Sequence, residues 1–158
     1  MKLKASILKM TSMKNPLFLR IFSAMVVLVF SYTAMNKIVD WQQFRVTLNK
    51  SPYLHDWAKV LSIVVPLSEL MTVFLILVRR TMLFGMYAAF FLMAVFTSYV
   101  FVMLRYSYFL PCSCGGIVSA MNWNQHLAFN LVLTILIASA IFKIEKSMIN
   151  SRHAAEHL

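Results

Sequence analysis

The chain has 158 residues and carries 15 Lys or Arg against 5 Asp or Glu, a formal charge of +10. Hydrophobic residues make up 61% and charged residues 13%. Ordinary soluble domains run at about 45–50% apolar and about 25% charged, so a soluble globular protein is excluded. Few charges with many aromatics also exclude a disordered chain, and three Gly with four Pro exclude collagen-like and loop-rich scaffolds. What remains is an integral membrane protein, expected to form one domain over residues 1–158.

A helix needs about 20 mostly apolar residues to cross the hydrocarbon core. Four segments meet that demand: about 17–36, 58–78 with Glu69 inside it, 81–104 without any charge, and 125–142 with His126 at its mouth. The predicted fold is therefore all-α, a four-helix transmembrane bundle. Lys2, Lys4, Lys9 and Lys14 precede the first span like the basic front of a signal peptide. The apolar run that follows is too long for that and lacks a small-residue cleavage site, so an uncleaved first helix is expected.

Lys and Arg set the orientation. The N-terminal flank with Arg20 holds five, the Arg79–Arg80 link two, and the tail Lys143, Lys146 and Arg152, ten in all. Lys37, Arg45, Lys50, Lys59 and Arg105 fall on the other side, beside Asp40 and Asp56. Both termini are thus expected in the cytoplasm, in a bacterial inner membrane. The charge is spread over three flanks and signals topology rather than nucleic-acid binding. The expected surroundings are the lipid bilayer.

The 79–80 link is tight, whereas the outer loops, residues 40–57 and the one between the third and fourth spans, are long, and function tends to sit there. In the first, Trp41, Phe44 and Leu48 recur at i, i+3 and i+7, with Gln42 and Arg45 turned away. This predicts a short interfacial helix. Ser51 and Pro52 are read as N-cap and first position of the next helix. Trp41, Tyr53 and Trp57 fit an aromatic belt.

The second outer loop holds both cysteines of the chain, in Pro111-Cys112-Ser113-Cys114-Gly115-Gly116. On the expected topology they face the oxidising side. A bond between i and i+2 closes a very small loop, so it stabilises the fold little and is strained and oxidising. Three readings stand, in this order: a redox-active dithiol, two inert small thiols, and a Cu(I) site helped by Met. The last lacks a completing C-x-x-C or His pair, and no metal ligand is assigned. Asn122 and Gln125 look like a capping-box variant opening the fourth span. His126 and Asn130 lie one turn apart on one face. His126 either tunes a thiolate or shuttles a proton, or holds the loop as an interfacial polar residue.

Glu69 sits near the middle of the second span, where a carboxylate is costly and faces the bundle interior. It is read as a proton acceptor or quinone ligand, or as a strut bonded to Ser68, Asn36, Lys37 or the backbone freed by Pro66.

Asn36-Lys37 with Asp40, Phe44, Pro66-x-x-Glu69, Cys112-x-Cys114-Gly115 and Asn130, in that order, resemble the MauE/DoxX-like membrane proteins. The resemblance runs from about Leu17 to Phe142 and is strongest over Pro66–Leu70 and Pro111–Asn130. It implies a four-helix membrane protein of redox processes. The founding branch serves maturation of the disulfide-rich small subunit of methylamine dehydrogenase, by supporting disulfide formation outside the cytoplasm. A looser likeness to vitamin K epoxide reductase and DsbB-type bundles implies electron transfer from dithiols to quinone, which those enzymes achieve with two cysteine pairs. This chain has one. Either a thioredoxin-like periplasmic partner carries the shuttle, or there is no quinone step, and enzyme status stays open.

The expectation is thiol–disulfide exchange through Cys112 and Cys114 with His126 beside them, and Glu69 and Asn130 toward a quinone cofactor. The rival is a non-catalytic membrane subunit that binds or positions a partner protein.

Overall fold

The computed structural model describes residues 16–51, 54–106 and 122–156. In chain order these form α1 (Pro16–Val39), α2 (Trp41–Lys50), a 3-10 turn (His55–Trp57), α3 (Ala58–Leu77), α4 (Met82–Tyr106) and α5 (Trp123–Glu156). No strand occurs among the described residues. Four helices contain stretches long and apolar enough to cross a membrane: Leu19–Val39, His55–Leu77, Met82–Tyr106 and Trp123–Lys146. The protein is a multi-pass membrane protein with the expected four-span helical fold.

The spans pack in the sequence α1–α3–α4–α5, each against the next, with α2 lying against α3. Phe22, Val26 and Phe30 of α1, Val73 and Ile76 of α3, Met86, Ala89 and Met93 of α4, and Leu133, Ile137 and Ile141 of α5 form one core. The outward faces are just as apolar. Ile21, Leu28, Phe74, Phe84, Phe91 and Phe142 are each 61–71% exposed, which water would penalise and lipid does not. The helices satisfy their own backbone groups, as a bilayer requires. Polar side chains follow suit by bonding back to their own turn: Thr72 donates to the Ser68 carbonyl, Thr97 to Met93 and Thr134 to Asn130.

The α3–α4 hairpin closes through Thr81, whose hydroxyl contacts the carbonyls of Leu75 at 3.0 Å and Val78 at 3.2 Å. Gly85 follows one turn later. A Cβ there would lie 2.7 Å from the Ile76 nitrogen and 2.9 Å from the Leu75 carbonyl carbon, so the two backbones touch at this point. Gly85→Ala is therefore expected to destabilise the bundle by about 1–3 kcal/mol, read as a lower melting temperature in lipid nanodiscs. An unchanged melting temperature would show that the hairpin yields freely.

Three sequence expectations need correction. Ser51 does not open α3; it closes α2 as its C-cap, with its N–H on the Leu48 carbonyl. It is fully buried, with its hydroxyl 3.8 Å from the Met103 sulfur. Pro52 and Tyr53 lie outside the described residues, and α3 starts only at Ala58. The inward stripe of α2 is Phe44, Thr47 and Leu48, while Trp41 is exposed, because α2 rests on α3 rather than standing alone. The fourth helix runs well past residue 142 to Glu156, since charged residues leave a membrane without ending a helix. At that far end the Tyr87 hydroxyl donates to Glu145, joining α4 to α5.

Candidate functional site

Thr33 and Lys37 are four residues apart on α1 and so share a face. That face meets α3 at Glu69. The Lys37 ammonium donates to Glu69 Oε1 at 2.8 Å and Oε2 at 3.1 Å, and to the Thr33 carbonyl at 3.3 Å. The Thr33 hydroxyl lies 3.3 Å from the same Oε1 and 3.1 Å from the Phe30 carbonyl. Glu69 is 1% exposed and Lys37 16%. Burying either charge alone would cost several kcal/mol, and only close pairing with further hydrogen bonds offsets this. Two rings complete the shell: Lys37 Nζ lies 5.9 Å from the Phe44 centroid and 5.7 Å from that of Phe96, within cation–π reach.

This pair forms part of the wall of a cavity of about 250 Å³. Thr33 and Lys37 of α1, Phe44 and Leu48 of α2, Val65 and Glu69 of α3, Met93, Phe96 and Tyr99 of α4, and His126, Phe129 and Asn130 of α5 all line it. Every span contributes, and so does the short helix. The lining is apolar apart from a few groups.

His126 is held at the start of α5 by local structure. The Asn122 N–H donates to Gln125 Oε1 at 3.0 Å, and the His126 N–H donates to the Asn122 carbonyl at 2.9 Å. The Gln125 half of the capping box expected from Asn122 and Gln125 is thereby present. Trp123 stacks on the His126 ring, centroids 6.2 Å apart and planes at 23°. Asn130, 6% exposed, follows one turn on. Within the described residues neither the His126 imidazole nor the Asn130 amide makes a hydrogen bond, while both line the cavity. Asn36 Nδ2 is also buried without a hydrogen-bond partner there.

The family model of the methylamine utilisation protein MauE matches residues 15–143. The chain belongs to the MauE family. No curated protein and no solved structure matches it. The MauE match takes in the first three spans, the fourth as far as residue 143, and every residue that lines the cavity.

Three of the five residues singled out in this MauE-family sequence come together: Glu69, His126 and Asn130 line one cavity. Cys112 and Cys114 lie outside the described residues, in the segment between Tyr106 and Asn122. Among the partners considered for Glu69, Lys37 holds it. Ser68 instead bonds the Val65 carbonyl, and neither Asn36 nor the backbone near Pro66 bonds the carboxylate. Lys37 is thus a largely covered partner within α1 rather than a flank charge, which leaves Arg45, Lys50, Lys59 and Arg105 on the flank expected to face outward. Thr33 and Phe96 were missed. Thr33 could have been found as the residue one turn before Lys37; nothing in the local sequence marks Phe96. Among the described residues no cluster of three or more His, Cys, Asp or Glu could hold a metal ion.

Proposed function

We propose that this MauE-family protein carries out thiol–disulfide exchange at the outer membrane face, supporting disulfide formation or redox maturation of exported proteins through Cys112 and Cys114. What supports the reading most is the convergence of Glu69 of α3 with His126 and Asn130 on one cavity, the last two in the first turns of α5, which follows the cysteine segment in the chain. Cationic flanks at the N-terminus, the Arg79–Arg80 turn and the tail favour cytoplasmic termini and an outward cysteine segment. The counting is sharper once Lys37 is removed from the outer side.

In the oxidising direction, a client thiolate attacks one sulfur of the Cys112–Cys114 disulfide. A mixed disulfide forms and the other sulfur leaves as a thiolate. A second client thiolate then attacks the mixed disulfide, which releases the oxidised client. The pair has gained two electrons, and two protons restore both thiols. A strained disulfide of high potential favours exchange of this kind, and a bond between i and i+2 closes a very small loop.

The test is acid-quenched alkylation of cells, with the mass shift read on Cys112 and Cys114, together with a Cys114→Ser variant. The pair is expected as a mixture of oxidised and reduced forms. The variant is expected to accumulate a mixed disulfide through Cys112, released by reductant. A pair that stays reduced under every condition, with no trapped client, would overturn the proposal.

A further inference from the structure

The cavity beneath the outer face has one end that lacks partners. Its body is apolar and partly aromatic, with Phe96, Tyr99 and Phe129 in its wall. Lys37, Glu69 and Thr33 satisfy one another. The Asn130 amide does not share in this, although 94% of the residue is buried, nor does the imidazole of His126. Asn130 is buried and His126 half-buried, and both line the cavity with hydrogen-bonding capacity unused among the described residues, so an occupant that brings polar atoms gains more here than a purely apolar one.

From this we infer that the cavity binds a lipid-soluble aromatic dione, a compound of the quinone class, with its ring oxygens at Asn130 and His126. Size agrees: a 150 Å³ apolar cavity holds benzene, so about 250 Å³ admits one substituted ring or two fused ones. An acyl chain would fill the apolar body but give Asn130 and His126 nothing. Amide and imidazole each donate and accept. They can therefore serve the carbonyl oxygens of the oxidised ring and the hydroxyls of the reduced one. When bound, such a ring would accept the two electrons and two protons released as the Cys112–Cys114 dithiol left by client oxidation closes again to its disulfide, the ring becoming the hydroquinone. Glu69, held by Lys37, is a buried carboxylate in the wall of the same cavity. The choice of a redox-active ligand rests on the proposal of disulfide chemistry above; the binding itself needs no cysteine.

The experiment uses the full chain in lipid nanodiscs, titrated with menadione and with a short-tailed ubiquinone. The readouts are quenching of tryptophan fluorescence, to which Trp123 beside His126 contributes, and the melting temperature. Saturable quenching at one ligand per chain is expected for at least one probe, with a raised melting temperature. Asn130→Leu should weaken it about tenfold, the loss of one buried hydrogen bond. Val65→Phe, which fills the cavity from α3, should abolish it while the melting temperature without ligand is kept. Cys112→Ser with Cys114→Ser should bind as the parent does. If that variant binds while the parent's cysteines prove inert in cells, the disulfide proposal falls and the ring site stands. Quenching that is linear and unaltered by both cavity variants would overturn the site. So would displacement of the probe by oleate at equal concentration, which would mark an acyl-chain cleft.

Discussion

Replacing Lys37 with Met is expected to cost the folded protein about 3–5 kcal/mol, the usual price of leaving one partner of a buried pair alone. Glu69 is 1% exposed, so no water can take over from the ammonium. What remains is the Thr33 hydroxyl, which is already divided between Glu69 and the Phe30 carbonyl. The carboxyl must either stay charged and unpaired or take up a proton. Removing both partners behaves differently. Lys37→Met with Glu69→Leu substitutes apolar groups of similar size for the pair and recovers most of the loss, since a buried pair is worth little against well-packed hydrocarbon. Phe44 and Phe96, now flanking Lys37, would pack on the Met instead. Reversible unfolding of the two variants in mixed micelles checks this. A single variant as stable as the parent would show that Glu69 finds another partner. A double variant no better than the single one would show that the cost lies in packing rather than in charge.

The architecture was legible because its main cause is crude. Apolar length decides what crosses a membrane, and four runs of sufficient length sit between basic flanks, so the expected spans lie within a few residues of the helical stretches long and apolar enough to cross one. The end of α5 was missed for the same reason. Apolarity marks where lipid stops, whereas Lys143, Lys146 and the residues beyond them are compatible with helix in water. Ser51 shows a different limit. Ser-Pro is a sound opening for a helix, but Ser51 is equally able to close one, and the decision came from its burial against Met103. In the site, Glu69 announced itself because a carboxylate inside a span must face inward. Its partner was visible as one of several polar groups nearby. Choosing Lys37 over Asn36 or Ser68 required the rotation of α1 against α3, which no local pattern fixes. Phe96 belongs to a span where aromatics are common, so its place over Lys37 is a property of packing alone.

Converting both cysteines to serine is expected to abolish client disulfide formation while leaving the fold nearly untouched, and that separation of effects is the sharpest discriminator among the functional readings. Cross-linking stabilises by loop closure, and a three-residue loop gives only about 1.6 kcal/mol by the usual relation, against about 3 kcal/mol for fifteen residues. Strain reduces it further. The core of Phe30, Met86, Ile137 and their neighbours is built among the described spans themselves. Melting in nanodiscs should therefore move by a few degrees at most, whereas in cells the client's disulfides should fall to the level seen without the protein. A subunit that only positions a partner would use exposed aromatics, Trp41 and Trp57 among them, and would keep its activity after the double change. The two outcomes exclude each other. A loss of activity with an intact bundle would place the chemistry on the sulfurs, and retained activity would transfer it to the partner that the outer face recruits.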